Sequence, residues 1–166
     1  MTMKYLLGIF SCLLNQFMKS LFNAADNNEF IERIDKLTPS TAALWGKMNA
    51  GQMLAHSQTT LKLALGEMKL KRAFIGVIFG KIAKRKLLNG ADLDKHLPTF
   101  KEARITDERN FQEEKAQLVG LIKRFQKAGP DGLAKDPHPF FGPLTPDEMD
   151  RLNTKHLDHH LRQFGV

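Results

Sequence analysis

Cysteine is nearly absent from this chain: Cys12 is the only one in 166 residues. A disulfide framework and a cysteine-based zinc site are thereby excluded, along with the small secreted modules built on them. Cys12 also falls in an N-terminal stretch set apart from the rest, which excludes catalysis by a thiol of the protein itself. Acidic residues are missing from one long segment. From Lys69 to Lys86 there are seven basic residues (Lys69, Lys71, Arg72, Lys81, Lys84, Arg85 and Lys86) and no Asp or Glu. That segment accounts for the whole formal net charge of +7, so the remainder is balanced. A uniformly basic nucleic-acid surface is not indicated, and no groove-reading or aromatic RNA-binding motif accompanies the patch; no nucleic-acid partner is expected. No apolar run is long enough to cross a bilayer as a helix, and no convincing strand pattern is present.

Residues 1–17 stand apart. Lys4 precedes an apolar run from Tyr5 to Leu14, in the manner of a signal-peptide n- and h-region, but no small-x-small cleavage site follows. Met18 then opens MKSLFNAADNNEF, which reads like the start of an ordinary cytosolic protein. The segment is taken as an extension from an upstream start codon or a loose leader, rather than a device for export or membrane association. Residues 18–166 are expected to form a single cytoplasmic domain, long enough to bury a core.

Four long helices are predicted there. Helix one spans about Asn27 to Leu37, with Phe30, Ile31, Ile34 and Leu37 spaced three and four apart, and Pro39 ends it. Helix two begins at Asn49, a good N-cap, and runs to about Leu65 before Gly66. Helix three starts at Thr106 or Asp107 and stops near Ala128, before Gly129-Pro130. Helix four opens on Thr145-Pro146-Asp147-Glu148, which combines an N-cap threonine, a proline at the first helical position and a capping-box glutamate; Gly165 ends it. A linker of about a dozen residues suits helices one and two as an antiparallel pair. Glu67 to Ile105 is long enough for a crossover along the bundle, with a short extra helix near Phe74 to Leu88. The linker GPDGLAKDPHPFFGPL is expected to be an ordered, aromatic-lidded loop. The economical reading is all-α: a four-helix bundle with one long crossover between helices two and three.

The chemistry rests on histidines. His156 and His160 are four apart on helix four, hence on one face with Cβ atoms about 5–6 Å apart, close enough to converge on one metal ion. Their stripe also holds Met149, Leu152 and Gln163, so it points inward. His56 lies on another core helix; by itself it would be read as a hydrogen-bonded core residue. Three histidines from two helices would leave metal positions open for water or substrate, the pattern of a catalytic rather than a structural site. His159 lies about 60° behind His156 around the helix and is read as a flanking residue. His96 and His138 sit in loops, His138 where it could line a pocket mouth. Asp158 is on the wrong side of helix four to be a fourth ligand. The basic segment, with Lys81, Lys84, Arg85 and Lys86 as an anion patch, has two readings. One is a site for an anionic cofactor or substrate, or an interfacial helix. The other, preferred here, is a crossover helix with its apolar side packed on the bundle and its charges solvated; membrane contact is not expected.

Three segments, LWGKMNAGQMLAHSQ around His56, PHPFFGPLTPDE before helix four and KHLDHHLRQFGV at the end, resemble the DinB/YfiT-like superfamily, in a branch described only as a domain of unknown function. The resemblance covers about Met18 to Val166, and the C-terminal block is its specific part. It implies a four-helix bundle, often a homodimer, with a divalent metal such as zinc, nickel or iron held by His56, His156 and His160. Gln163 matches a glutamine that often follows the histidine pair. Some relatives transfer low-molecular-weight thiols such as bacillithiol or mycothiol onto electrophiles, and others are assigned as hydrolases. The implied function is a metal-dependent enzyme on a small-molecule substrate, of thiol S-transferase or hydrolase type. The alternative is a non-catalytic metal-binding or stress-associated module.

Overall fold

A computed structural model of the chain describes residues 19–88, 92–95, 99 and 101–166. The leader expected over residues 1–17 lies outside the described residues, as do Gly90, His96 and Pro98 of the predicted crossover. Among the described residues the chain is all-helical, with no strand: α1 Ala24–Asp35, α2 Ala50–Ala64, α3 Phe74–Leu88, α4 Phe111–Ala128 and α5 Pro146–Gln163, plus 3-10 turns at Lys101–Ala103 and Pro130–Gly132. Helices one to four of the sequence reading are thus α1, α2, α4 and α5, and the extra crossover helix is α3.

Side-chain caps fix the helix starts. At α5 the expected capping box forms: Thr145 Oγ1 accepts from the Glu148 amide and Glu148 Oε2 from the Thr145 amide. Asn49 and Gln52 make the same reciprocal pair at α2. α1 begins three residues before the predicted Asn27, because the Asn23 side chain accepts from the Ala25 and Asp26 amides. α4 begins later than Thr106 or Asp107. Asp107 is paired with Arg109, whereas the Asn110 side chain takes the Gln112 and Glu113 amides.

The core is made by the inward stripes of α1, α2, α4 and α5. Phe30, Ile34, Met53, Leu54, Leu121, Ile122, Phe125 and Leu161 are all buried in one cluster. Burying each such side chain contributes roughly 1.5–3 kcal/mol. α4 packs on α1 and α2, and α5 packs on α1, α2 and α3. A buried polar seam joins α2 to α4: Gln58 Nε2 donates to Glu114 Oε2 at 2.6 Å, while Lys62 donates to Gln58 Oε1 at 2.8 Å.

α3 departs from the preferred sequence reading. Its apolar side faces outward: Phe74, Ile75, Val77, Ile78, Phe79 and Ile82 are exposed. The face that meets the protein is built on Gly76 and Gly80, one turn apart, with Leu87. An added Cβ would stand 2.6 Å from the Phe140 carbonyl oxygen at Gly76 and 2.2 Å from it at Gly80, so the helix backbone lies directly on the loop backbone. Polar contacts complete the seat. The Ala73 amide donates to the Pro139 carbonyl at 3.0 Å, Lys84 Nζ to the Pro143 carbonyl at 3.0 Å, and Lys155 Nζ to the Leu87 carbonyl at 2.7 Å. Arg151 reaches the Leu88 carbonyl at 3.0 Å, so two cations of α5 meet the negative end of α3. A helix held by glycines, carbonyls and lysines has no need of its large side chains for docking.

Candidate metal centre

The stripe of α5 and the inner face of α2 bring His56, His156 and His160 together. Their ring centroids form a nearly equilateral triangle with sides of 5.0, 4.6 and 4.6 Å. Each offers one ring nitrogen to a common point, and the three nitrogens lie within 4.8 Å of one another. His56 Nε2 is 3.1 Å from His156 Nε2. Ligands at 2.0–2.1 Å around a tetrahedral ion stand about 3.3 Å apart, so this pair already has ligand spacing.

The outer nitrogens are held by partners that orient the rings. His56 Nδ1 lies 2.7 Å from the Ala103 carbonyl, which can only accept, so Nδ1 carries the proton and Nε2 keeps its lone pair. His160 Nδ1 lies 2.8 Å from Gln163 Oε1 with the same result. Gln163 is itself fixed, its Nε2 donating to the Trp45 carbonyl at 2.6 Å. Thr60 Oγ1 stands 3.4 Å from His156 Nδ1. For His56 and His160 this is the arrangement that metal-ligating histidines need: a carbonyl or amide oxygen behind the ring sets its tautomer and raises its basicity.

Electrostatics favours neutral rings. Burial holds His56 below its ordinary pKa, partly opposed by the Ala103 carbonyl. Burial, then the neighbouring imidazoles of His160 and His56, push His156 well below it, and burial together with His56 pushes His160 down to about 3. All three lone pairs are therefore available at neutral pH. By whole-residue exposure His56 and His160 are buried and His156 is part-buried.

The remaining candidates fall outside the triangle. His159 is edge-on to Trp45, with ring centroids 5.7 Å apart, and abuts His160 at 5.1 Å, the flanking position expected. Asp158 turns away to Arg33 at 2.8 Å and Arg162 at 3.0 Å. His138 Nδ1 accepts from the Phe140 and Phe141 amides, both at 3.2 Å, and so shapes the aromatic loop. It also lines a cavity of about 260 Å³ with Leu63, Leu70, Arg72, Asp136 and Met149. Lys81, Lys84, Arg85 and Lys86 do not gather around the histidines. Lys84 pairs with Glu148 and Lys86 with Asp94, while Lys81 and Arg85 are exposed. The cations that line the cavity are Lys69 and Arg72 instead. Ala103, Thr60 and Trp45 were not foreseen as parts of the site. Two of them act through backbone carbonyls, which residue type does not reveal.

Residues 18–165 match a family model described as "Protein of unknown function (DUF1569)". No curated protein and no solved structure matches the chain.

Proposed function

The chain belongs to the DUF1569 family, and from that premise and the geometry of its histidines we propose that it is a three-histidine divalent-metal protein acting on a small molecule. The observation that carries the proposal is the orientation of the rings. Two of the three outer nitrogens are spoken for by oxygen acceptors, so the inner nitrogens of His56 and His160 carry lone pairs turned toward His156. His156 Nε2, 3.1 Å from that of His56, can donate one proton to one of these lone pairs but not to both. A single ion within reach of His56, His156 and His160 satisfies all of them.

Such an ion, held by neutral ligands, keeps its full charge and favours the deprotonated form of a water or thiol at neutral pH. The residues of the chain do the rest. Ala103 and Gln163 hold the rings of His56 and His160 in their liganding tautomers, and three protein ligands would leave a fourth position for solvent or substrate. The only cysteine is Cys12, so a thiol nucleophile would be a low-molecular-weight cofactor. The resemblance to the DinB/YfiT-like superfamily supports the finer reading, in which α1, α2, α4 and α5 form its bundle, α3 rides in the crossover, and the reaction is thiol transfer or hydrolysis in the cytoplasm. Homodimer formation belongs to the same finer reading.

The test is reconstitution followed by turnover. Protein purified in chelator-free buffer, or stripped and reloaded with zinc, nickel or iron(II), should bind about one ion per chain and gain thermal stability. A screen of small thiols against model electrophiles, and of ester and amide substrates, should then show activity that chelators abolish. Metal binding without turnover in any arm would favour the non-catalytic module, and failure to retain metal would remove the proposal.

A further inference from the structure

The outward face of α3 is the feature that the metal centre does not explain. Phe74 is 80% exposed and Ile82 is 71% exposed, with Ile75, Val77, Ile78 and Phe79 more than half exposed on the same helix. Single exposed apolar residues are ordinary; six on one fifteen-residue helix form a patch that marks an interaction surface. The charges decide what it meets. Lys84 and Lys86 are engaged by Glu148 and Asp94, and Lys69 by Asp136, but Lys71, Arg72, Lys81 and Arg85 have no carboxylate within ion-pair distance among the described residues. From Lys69 to Lys86 there is no acidic side chain at all.

We propose that α3 is a peripheral docking helix that seats this protein on an anionic phospholipid surface. The combination of an apolar arc with uncompensated lysine and arginine beside it is the pattern that buries a helix in the headgroup boundary. A second copy of the chain suits the face less well, because an isologous pairing would bring one basic segment against another. The way α3 is held agrees with lipid docking. Its glycine face lies on the Phe140 backbone, and Lys155 and Arg151 grip its C-terminal carbonyls, so the helix presents its large side chains outward as a fixed ridge. No helix among the described residues is long and apolar enough to cross a membrane, so the contact is with the surface. The N-terminal segment holds a second apolar run, Tyr5 to Leu14 behind Lys4.

The experiment is co-sedimentation of the full chain with vesicles of pure phosphatidylcholine and of phosphatidylcholine mixed with phosphatidylglycerol. Binding is expected to the mixed vesicles only, and to weaken as salt shortens the Debye length from about 10 Å at 0.1 M to about 3 Å at 1 M. The double variant Ile78→Gln/Ile82→Gln should lose binding by more than tenfold, an order-of-magnitude expectation from removing two exposed apolar side chains. Lys81→Gln/Arg85→Gln should lose roughly fivefold per charge. Both pairs are on the exposed face, so helix content and thermal midpoint should be unchanged, and a variant that failed that control would be replaced by Phe74→Gln. Equal binding to both vesicles, or to neither, would overturn the proposal. So would full binding by the α3 variants, which would assign the contact to the leader. A concentration-dependent dimer abolished by Ile78→Gln/Ile82→Gln, with no vesicle binding, would assign the face to a second copy.

Discussion

Replacing Gln163 by leucine removes two hydrogen bonds while nearly conserving side-chain volume. Gln163 is 3% exposed; its Oε1 accepts from His160 Nδ1 at 2.8 Å and its Nε2 donates to the Trp45 carbonyl at 2.6 Å. With leucine there, the Trp45 carbonyl and the His160 Nδ1–H each lose their partner in a poorly solvated place. Each loss costs about 1–3 kcal/mol, giving roughly 2–6 kcal/mol in all. For a domain of this size, that lowers the thermal midpoint by about 4–24 °C. A second effect concerns the metal. Without Gln163, His160 is free to exchange tautomers and to rotate, so metal affinity should fall about 10–100-fold. Gln163→Glu separates the two roles. It keeps an acceptor for His160 but sets a carboxylate oxygen against the Trp45 carbonyl, so affinity should hold while stability drops. The assay is a zinc competition titration against a chromophoric chelator, run beside thermal melts of the metal-free proteins. If Gln163→Leu melts early but binds zinc as tightly as the parent, Gln163 is only a brace for the loop at Trp45, and the reasoning about ring orientation is refuted.

Other outcomes follow from the same structure. Gly80→Ala should destabilise the protein or release α3, because the new Cβ would stand 2.2 Å from a backbone oxygen that cannot swing aside; the expected cost is about 1–3 kcal/mol, read by hydrogen exchange in α3. Gly120→Ala, on α4 with no atom within 4 Å of the new Cβ, should instead stabilise by up to about 1 kcal/mol in urea unfolding. In the metal-free protein, burial holds His160 down to about 3 and His138 down to about 4. Below pH 6.5 the unfolded chain takes up protons that the folded chain refuses, so folding stability should fall with pH. The slope is on the order of 1.4 kcal/mol per pH unit for each such histidine, continuing to about pH 4 for His138 and further for His160. A stability profile flat between pH 7 and 5 would show that neither ring is buried neutral.

Much of this fold is legible in residue type. Thr145-Pro146-Asp147-Glu148 fixes the start of α5 because all three of its devices act locally, and the apolar stripes of α1, α2, α4 and α5 correspond to the observed core. The pairing of His156 and His160 follows from the face assignment on α5, whereas His56 by itself reads as a core residue and joins them through the family resemblance, and the structure brings the three together. What is not legible depends on partners distant in sequence. The start of α4 turns on whether Asp107 or Asn110 is free to cap, and that is decided by Arg109. The outward turn of α3 is the clearest miss. Its composition predicts an apolar side packed inward, yet Gly76 and Gly80 can approach the Phe140 backbone more closely than any large side chain, and so they take the inner face. Two glycines one turn apart in an apolar helix were the available clue. The brace on His56 comes from the carbonyl of Ala103, 47 residues away, and a carbonyl leaves no trace in residue identity.

The central claim is that His56, His156 and His160 jointly hold one divalent ion, and it is tested most directly by metal stoichiometry in single-histidine variants. Protein reloaded with zinc and freed of excess is measured by elemental analysis for the parent, His56→Ala, His156→Ala, His160→Ala and His159→Ala. The account predicts about one equivalent in the parent and in His159→Ala, and near-complete loss in the other three, since two remaining imidazoles make only a weak site. The same three should lose the zinc-dependent rise in melting temperature. Retention of a full equivalent by any of those three, or equal loss in His159→Ala, would contradict it.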